Sequence, residues 1–80
     1  MSDLNQSQPV TLAVTEYQTR LDEASATITY VGSAEMASST SASAWRIKRL
    51  DSTSGLVILW ADGNADFDNV WDNRASLSYS

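Results

Sequence analysis

"AWRIKRLDSTSGLVILWA", residues Ala44 to Ala61, decides how this chain folds. From Ala44 to Leu50 the side chains alternate: Trp45, Ile47 and Arg49 point one way, Arg46, Lys48 and Leu50 the other. That is the two-residue period of a β-strand. Asp51 to Gly55 is turn chemistry, because Asp and Ser side chains bond their own backbone and Gly accepts a positive φ. Leu56 to Ala61 then runs back. The stretch predicts a central hairpin, 44–50 paired with 56–61. Its return strand is apolar on both sides: Leu56, Ile58 and Trp60 on one, Val57, Leu59 and Ala61 on the other. Such a strand needs cover on both faces, and a chain of 80 residues has little material to supply it. Either residues 1–24 fold over one face or another subunit covers it, and a partner is expected to supply part of that cover. The interface candidates are Leu56, Val57, Ile58, Leu59 and Trp60, with Arg46 and Lys48 on the neighbouring strand.

Upstream of the hairpin, Ala26 to Gly32 reads as a strand, with Ile28 and Tyr30 on one face and Thr27, Thr29 and Val31 on the other. The Ser/Ala-rich run 33–43 has no period and predicts a long flexible loop. Residues 10–15 alternate (Val10, Leu12, Val14) and predict another strand. Glu16 to Ala24 is ambiguous, since Tyr17 and Leu21 suit one helical face or a strand. Residues 1–9 are polar, end in Pro9 and predict a flexible N-terminal arm. The expected whole is mainly β: one small antiparallel sheet or sandwich over 10–80, with one short helical turn near 66–72.

That turn comes from the C-terminal stretch "WADGNADFDNVWDNRASLSYS", Trp60 to Ser80. Asp62, Asn64, Asp66 and Asp68 suggest a calcium loop at first sight, because short oxygen side chains at every second residue can converge on one ion. The pattern then fails. Phe67 stands where the turn glycine is needed and Asn73 where the closing glutamate is needed. A structural reading covers more residues. Asp62-Gly63 makes a turn, Asp66 caps a helical turn, and Phe67, Val70 and Trp71 share its apolar face. Ala75, Leu77 and Tyr79 then alternate with serines as a closing strand. No metal is expected, with Asp62, Asn64, Asp66 and Asp68 the calcium alternative.

Composition excludes several function classes. The chain has neither cysteine nor histidine, which removes disulfides, thiolate metal sites, imidazole acid–base chemistry and the Ser-His-Asp triad. A net charge of −5 disfavours nucleic acid as a partner. The N-terminus lacks the basic and apolar regions of a signal peptide, and no apolar run approaches a membrane span. Synthesis in the cytoplasm, no cofactor and no membrane partner are expected. The carboxylates from Asp62 to Asp72 carry nothing that would split their pKa values as a two-carboxylate enzyme requires, so no enzyme is expected. Trp45, Trp60 and Trp71 suit a core, or a sugar-stacking platform if they are exposed. The cations Arg46, Lys48, Arg49 and Arg74 suit pairing with aspartates of this chain or a neighbour, or a bound phosphate or sulfate.

"YVGSA" (Tyr30 to Ala34), "AWRIKRL" (Ala44 to Leu50) and the block Trp60 to Ser80 together resemble small structural-type proteins of tailed bacteriophages. In those, a Y-[IV]-G strand, a Ser/Ala-rich connector, a W-x-I-x-R strand and a terminal ADG…F…VWD-x-R…L-x-Y block recur in order. The resemblance spans residues 28–80. It implies a phage setting and no mechanism. In that setting a tiny, cysteine-free, β-rich chain with an over-apolar strand suits a virion component in many copies, at the capsid surface, the neck, or a tail or fibre. The partners would be copies of itself and other virion proteins. A carbohydrate-binding or adhesin module using the tryptophans, or a small host-directed effector, are the rival expectations.

Overall fold

The structure is a computed structural model and describes residues 16–80. The strand expected at 10–15 and the arm at 1–9 lie outside the described residues. Five strands form, β1 (Tyr17–Glu23), β2 (Ile28–Glu35), β3 (Ser43–Asp51), β4 (Val57–Trp60) and β5 (Asn69–Val70), followed by a 3-10 helix, Trp71–Ser76. All pairings are antiparallel, in the order β1-β2-β3-β4, and β5 pairs with the start of β3. Of the expected sheet or sandwich, one open sheet forms. The central hairpin is β3–β4, with Lys48 opposite Trp60 and Asp51 opposite Val57. Gly55 closes it at φ 93°, a backbone conformation that a side chain would disfavour.

The ambiguous segment is strand β1, with Leu21 opposite Val31. A spacing of four puts Tyr17 and Leu21 on one face in a helix and in a strand alike, so that pair alone could not decide. What decides is the full ladder with β2, together with the Gln18 side-chain amide, which donates to the carbonyls of Glu35 and Ser38. β2 runs through Glu35 and β3 begins at Ser43, so the expected loop at 33–43 narrows to 36–42. That connector is tied to the core. The Trp45 indole N–H donates to the Ser39 carbonyl at 2.9 Å, and the Asp72 N–H to that of Thr40 at 3.0 Å.

The core lies on one face of the sheet. It holds Tyr30, Ala34, Trp45, Ile47, Ala61 and Trp71, with Ile28, Ala44, Leu77 and Tyr79 packed around it. The cover is the C-terminal segment. Trp71 lies across Gly32 and meets Trp45 at 5.7 Å between ring centroids. Arg74 pins this cover to β1 through Asp22 at 2.9 Å, and the Tyr79 hydroxyl donates to the Arg74 carbonyl at 2.7 Å.

The helical turn sits later than its expected place at 66–72, and Asp66 does not cap it. Val70 stands at the N-cap with no side-chain bond. Residues 69–70 pair with β3 instead, and the polar residues before them bond locally: the Asp66 N–H donates to Asn64 Oδ1, and the Asn69 amide to Asp68 Oδ1. Phe67 leaves the expected core face and stacks on Tyr17 across the sheet. The closing strand shrinks to one bridge, Ala61 with Tyr79, and Ala75 is exposed.

Candidate interaction surface

The pairing register divides the sheet into two unlike faces. Residues opposite each other in an antiparallel ladder share a face, so three rows can be read off one side. Leu21, Val31, Lys48 and Trp60 form the central row. Glu23, Thr29, Leu50 and Ile58 form the row beside it, and Thr19, Ser33 and Arg46 the row on the other flank. Tyr17 and Glu35 lie opposite each other at the end. The core occupies the opposite face. No element of the described residues crosses the three rows, and only Phe67 reaches over the end of this face.

The surface is therefore apolar and charged together. Leu21 is 69% exposed and Ile58 50%. Phe67 and Tyr17 stack at 5.3 Å. The Arg46 guanidinium lies between two rings, 5.0 Å from Trp60 and 5.1 Å from Phe67, and the Lys48 ammonium stands 5.5 Å from Trp60. Each such contact is worth about 0.5–1 kcal/mol at an exposed site. They seat both cations over aromatic rings. Among the described residues the one ion pair is Arg74 with Asp22, so Arg46 and Lys48 rest on rings and not on aspartates there.

Two clefts open on this side. One, of about 310 Å³, is lined by Tyr17, Glu35, Ser38, Ser43, Ala44 and Phe67. The other, of about 110 Å³, lies between Val31, Ser33, Arg46, Lys48 and Trp60. Among the described residues no hydrogen bond joins the Ser38 or Ser43 hydroxyl to the Glu35 carboxylate. The perturbed acids sit elsewhere. Burial pushes the Tyr79 phenol up to about 12, helped by Tyr30 and opposed by Arg49 and Arg74. Asp51 is held below the usual carboxylate range by hydrogen bonds from Thr53. Among the described residues no three His, Cys, Asp or Glu side chains come together around a point that could hold a metal ion. Asp62 lies at φ 59° in its turn, and Asn64 Oδ1 is taken by a backbone N–H.

Of the residues singled out from sequence, Arg46, Lys48, Ile58 and Trp60 share the open face. Val57 and Leu59 point to the other side, and Leu56 lies exposed in the turn before β4. Within the chain Leu56, Val57 and Ile58 are exposed and Ala61 is buried. Sequence reasoning missed Tyr17, Leu21, Val31 and Phe67 as members of the surface. The first three carried an alternation signal once β1 is paired with β2; Phe67 carried none. Trp45 and Trp71 are buried in the core, leaving Trp60 as the tryptophan at the surface.

Fold and surface together define a class: a mainly β protein whose described residues form an open antiparallel sheet with the core on one face. Comparison with known proteins found no matching family model, no matching curated protein and no matching solved structure. No helix among the described residues is long and apolar enough to cross a membrane.

Proposed function

We propose that this chain is a non-enzymatic structural protein of a bacteriophage virion, acting by assembly in many copies. The observation that carries the assembly part is the sheet face that no element of the described residues covers, where Leu21, Val31, Leu50, Ile58 and Trp60 lie around Arg46 and Lys48. Contiguous apolar surface rimmed by polar groups marks interaction sites on soluble domains. Aromatic residues and Arg are the side chains that dominate such sites. The phage setting is supported by the resemblance of the three sequence blocks within residues 28–80, and the proposed site of assembly is the capsid surface, neck, tail or fibre. Mass spectrometry of purified particles tests this reading. The chain is expected there in stoichiometric amounts; its absence from particles, with abundance in the lysate, overturns the virion assignment.

The cleft beside Tyr17 and Phe67 favours a second reading, a carbohydrate-binding or adhesin module. Stacked rings flanked by Glu35, Ser38 and Ser43 combine an aromatic platform with hydroxyl and carboxylate partners. A glycan array decides it: binding that disappears in Phe67→Ala supports this reading, and no response to any host polysaccharide removes it.

A further inference from the structure

We propose that the occupant of the open face is a second copy of this chain, packed sheet to sheet about a two-fold axis that runs along the strands between β2 and β3. The proposal rests on the assembly reading above and names its partner.

The charge layout selects both the partner and the axis. On the open face the acids, Glu23 and Glu35, lie on β1 and β2, and the bases, Arg46 and Lys48, on β3. An axis along the strands lays β1 and β2 of one copy over β4 and β3 of the other. Glu35 then falls within about one row, twice 3.3 Å along a strand, of the other copy's Arg46, and Glu23 within one row and one strand of its Lys48. An axis across the strands would instead stack β3 on β3 and set Arg46 and Lys48 against the same pair, which like-charge repulsion opposes. The chosen axis also matches the apolar groups. Leu21 covers Trp60 of the second copy, Val31 covers the Lys48 stem, and Ile58 meets the Glu23 stem. Sheets packed face to face keep their strands within about 30° of each other, which this arrangement allows.

Size and edges agree with it. β1, β2 and β3 run for at least seven residues and β4 for four, so strands about 4.8 Å apart present a patch of roughly 14 by 23 Å with a shorter fourth strand beside it. Two such patches give about 800 Å² of flat area, and side-chain relief raises it toward the about 1,000 Å² that a specific interface must bury. Edge-to-edge pairing is less available. At β4 the C-terminal residues already pair with Trp60 and Asp62 through Ser80 and Ser78. β1 carries Arg20, Asp22 and Glu23, the kind of charge that guards an edge.

Val57 and Ile58 provide the test, because neighbours of nearly equal exposure, 47% and 50%, point to opposite faces. Sedimentation of the full chain over a concentration series is expected to show a monomer–dimer equilibrium. Ile58→Glu, which faces Glu23 of the second copy, is expected to weaken it by about tenfold or more. Ile58→Lys, which meets the same Glu23, should weaken it less, and Val57→Glu should leave it unchanged. Circular dichroism melts confirm that each variant folds. A wild-type chain that stays monomeric throughout overturns the proposal. So does equal loss in Val57→Glu and Ile58→Glu, which would mean edge pairing. A monomer that is nonetheless found in particles overturns only the self-pairing. A dimer absent from particles leaves the pairing standing and overturns the virion reading.

Discussion

Gly32 is the tightest point of the core. A Cβ there would run into the Trp71 ring and press on Trp45 at 3.2 Å, so the residue is set by the indole that lies on it. Gly32→Ala must push Trp71 off the sheet, and overpacking of this kind costs about 1–3 kcal/mol. A thermal melt should show a lowered midpoint; an unchanged one would mean that Trp71 does not pack there. Tyr79 makes a second prediction. Its hydroxyl donates to the Arg74 carbonyl, so Tyr79→Phe should cost about 1 kcal/mol at neutral pH. Its phenol is raised from 10.0 to about 12, chiefly by burial. The folded chain thus keeps a proton that the unfolded chain releases first. The stabilisation is complete below pH 10 and is lost as pH rises toward 12. Melting midpoints should fall across that window in the wild type and fall less in Tyr79→Phe.

At the level of elements, strands with a clean alternation were legible and capping was not. Trp45 and Ile47 against Arg46 and Lys48 marked β3, its turn and its return. Tyr17 and Leu21 could not mark β1, because their spacing fits two conformations and only the ladder to β2 separates them. The helical turn was misplaced because Asp66 has the chemistry of a cap, while a competing local bond from its N–H to Asn64 and the pairing of Asn69 with Trp45 put those residues into a turn and a strand. The open face was half legible. Arg46, Lys48, Ile58 and Trp60 came from the hairpin itself, but Phe67 arrives from a loop whose path no periodicity encodes. Two predictions belong here. Arg74 Nε bonds Asp22 and its Nη1 donates to the Trp71 carbonyl. Arg74→Ala should therefore destabilise the chain by about 1–2 kcal/mol, and Arg74→Lys should recover only part, since Lys lacks the guanidinium fork. Both are read by urea titration. Calcium or a chelator should leave the melting midpoint unmoved; a large calcium-dependent rise would return Asp62, Asn64, Asp66 and Asp68 to a metal site.

The whole molecule is an asymmetric object. One face of its sheet is sealed by the chain's own C-terminal segment, with Trp71, Leu77 and Tyr79 over Trp45 and Ile47. The other bears Leu21 and Ile58 exposed and Val31 half-buried, beside two cations held on aromatic rings. A domain of this size buries only about three fifths of its unfolded surface, so covering the second face is where association adds most. The proposed assembly uses this face and not the one that carries the core. Hydroxyl-radical footprinting of the chain, dilute and then concentrated, tests it most directly. The account predicts that Leu21, Ile58 and Trp60 lose reactivity on association while Val57, equally exposed on the other side, keeps it. Protection of Val57 with Leu21 and Ile58 left reactive would contradict it.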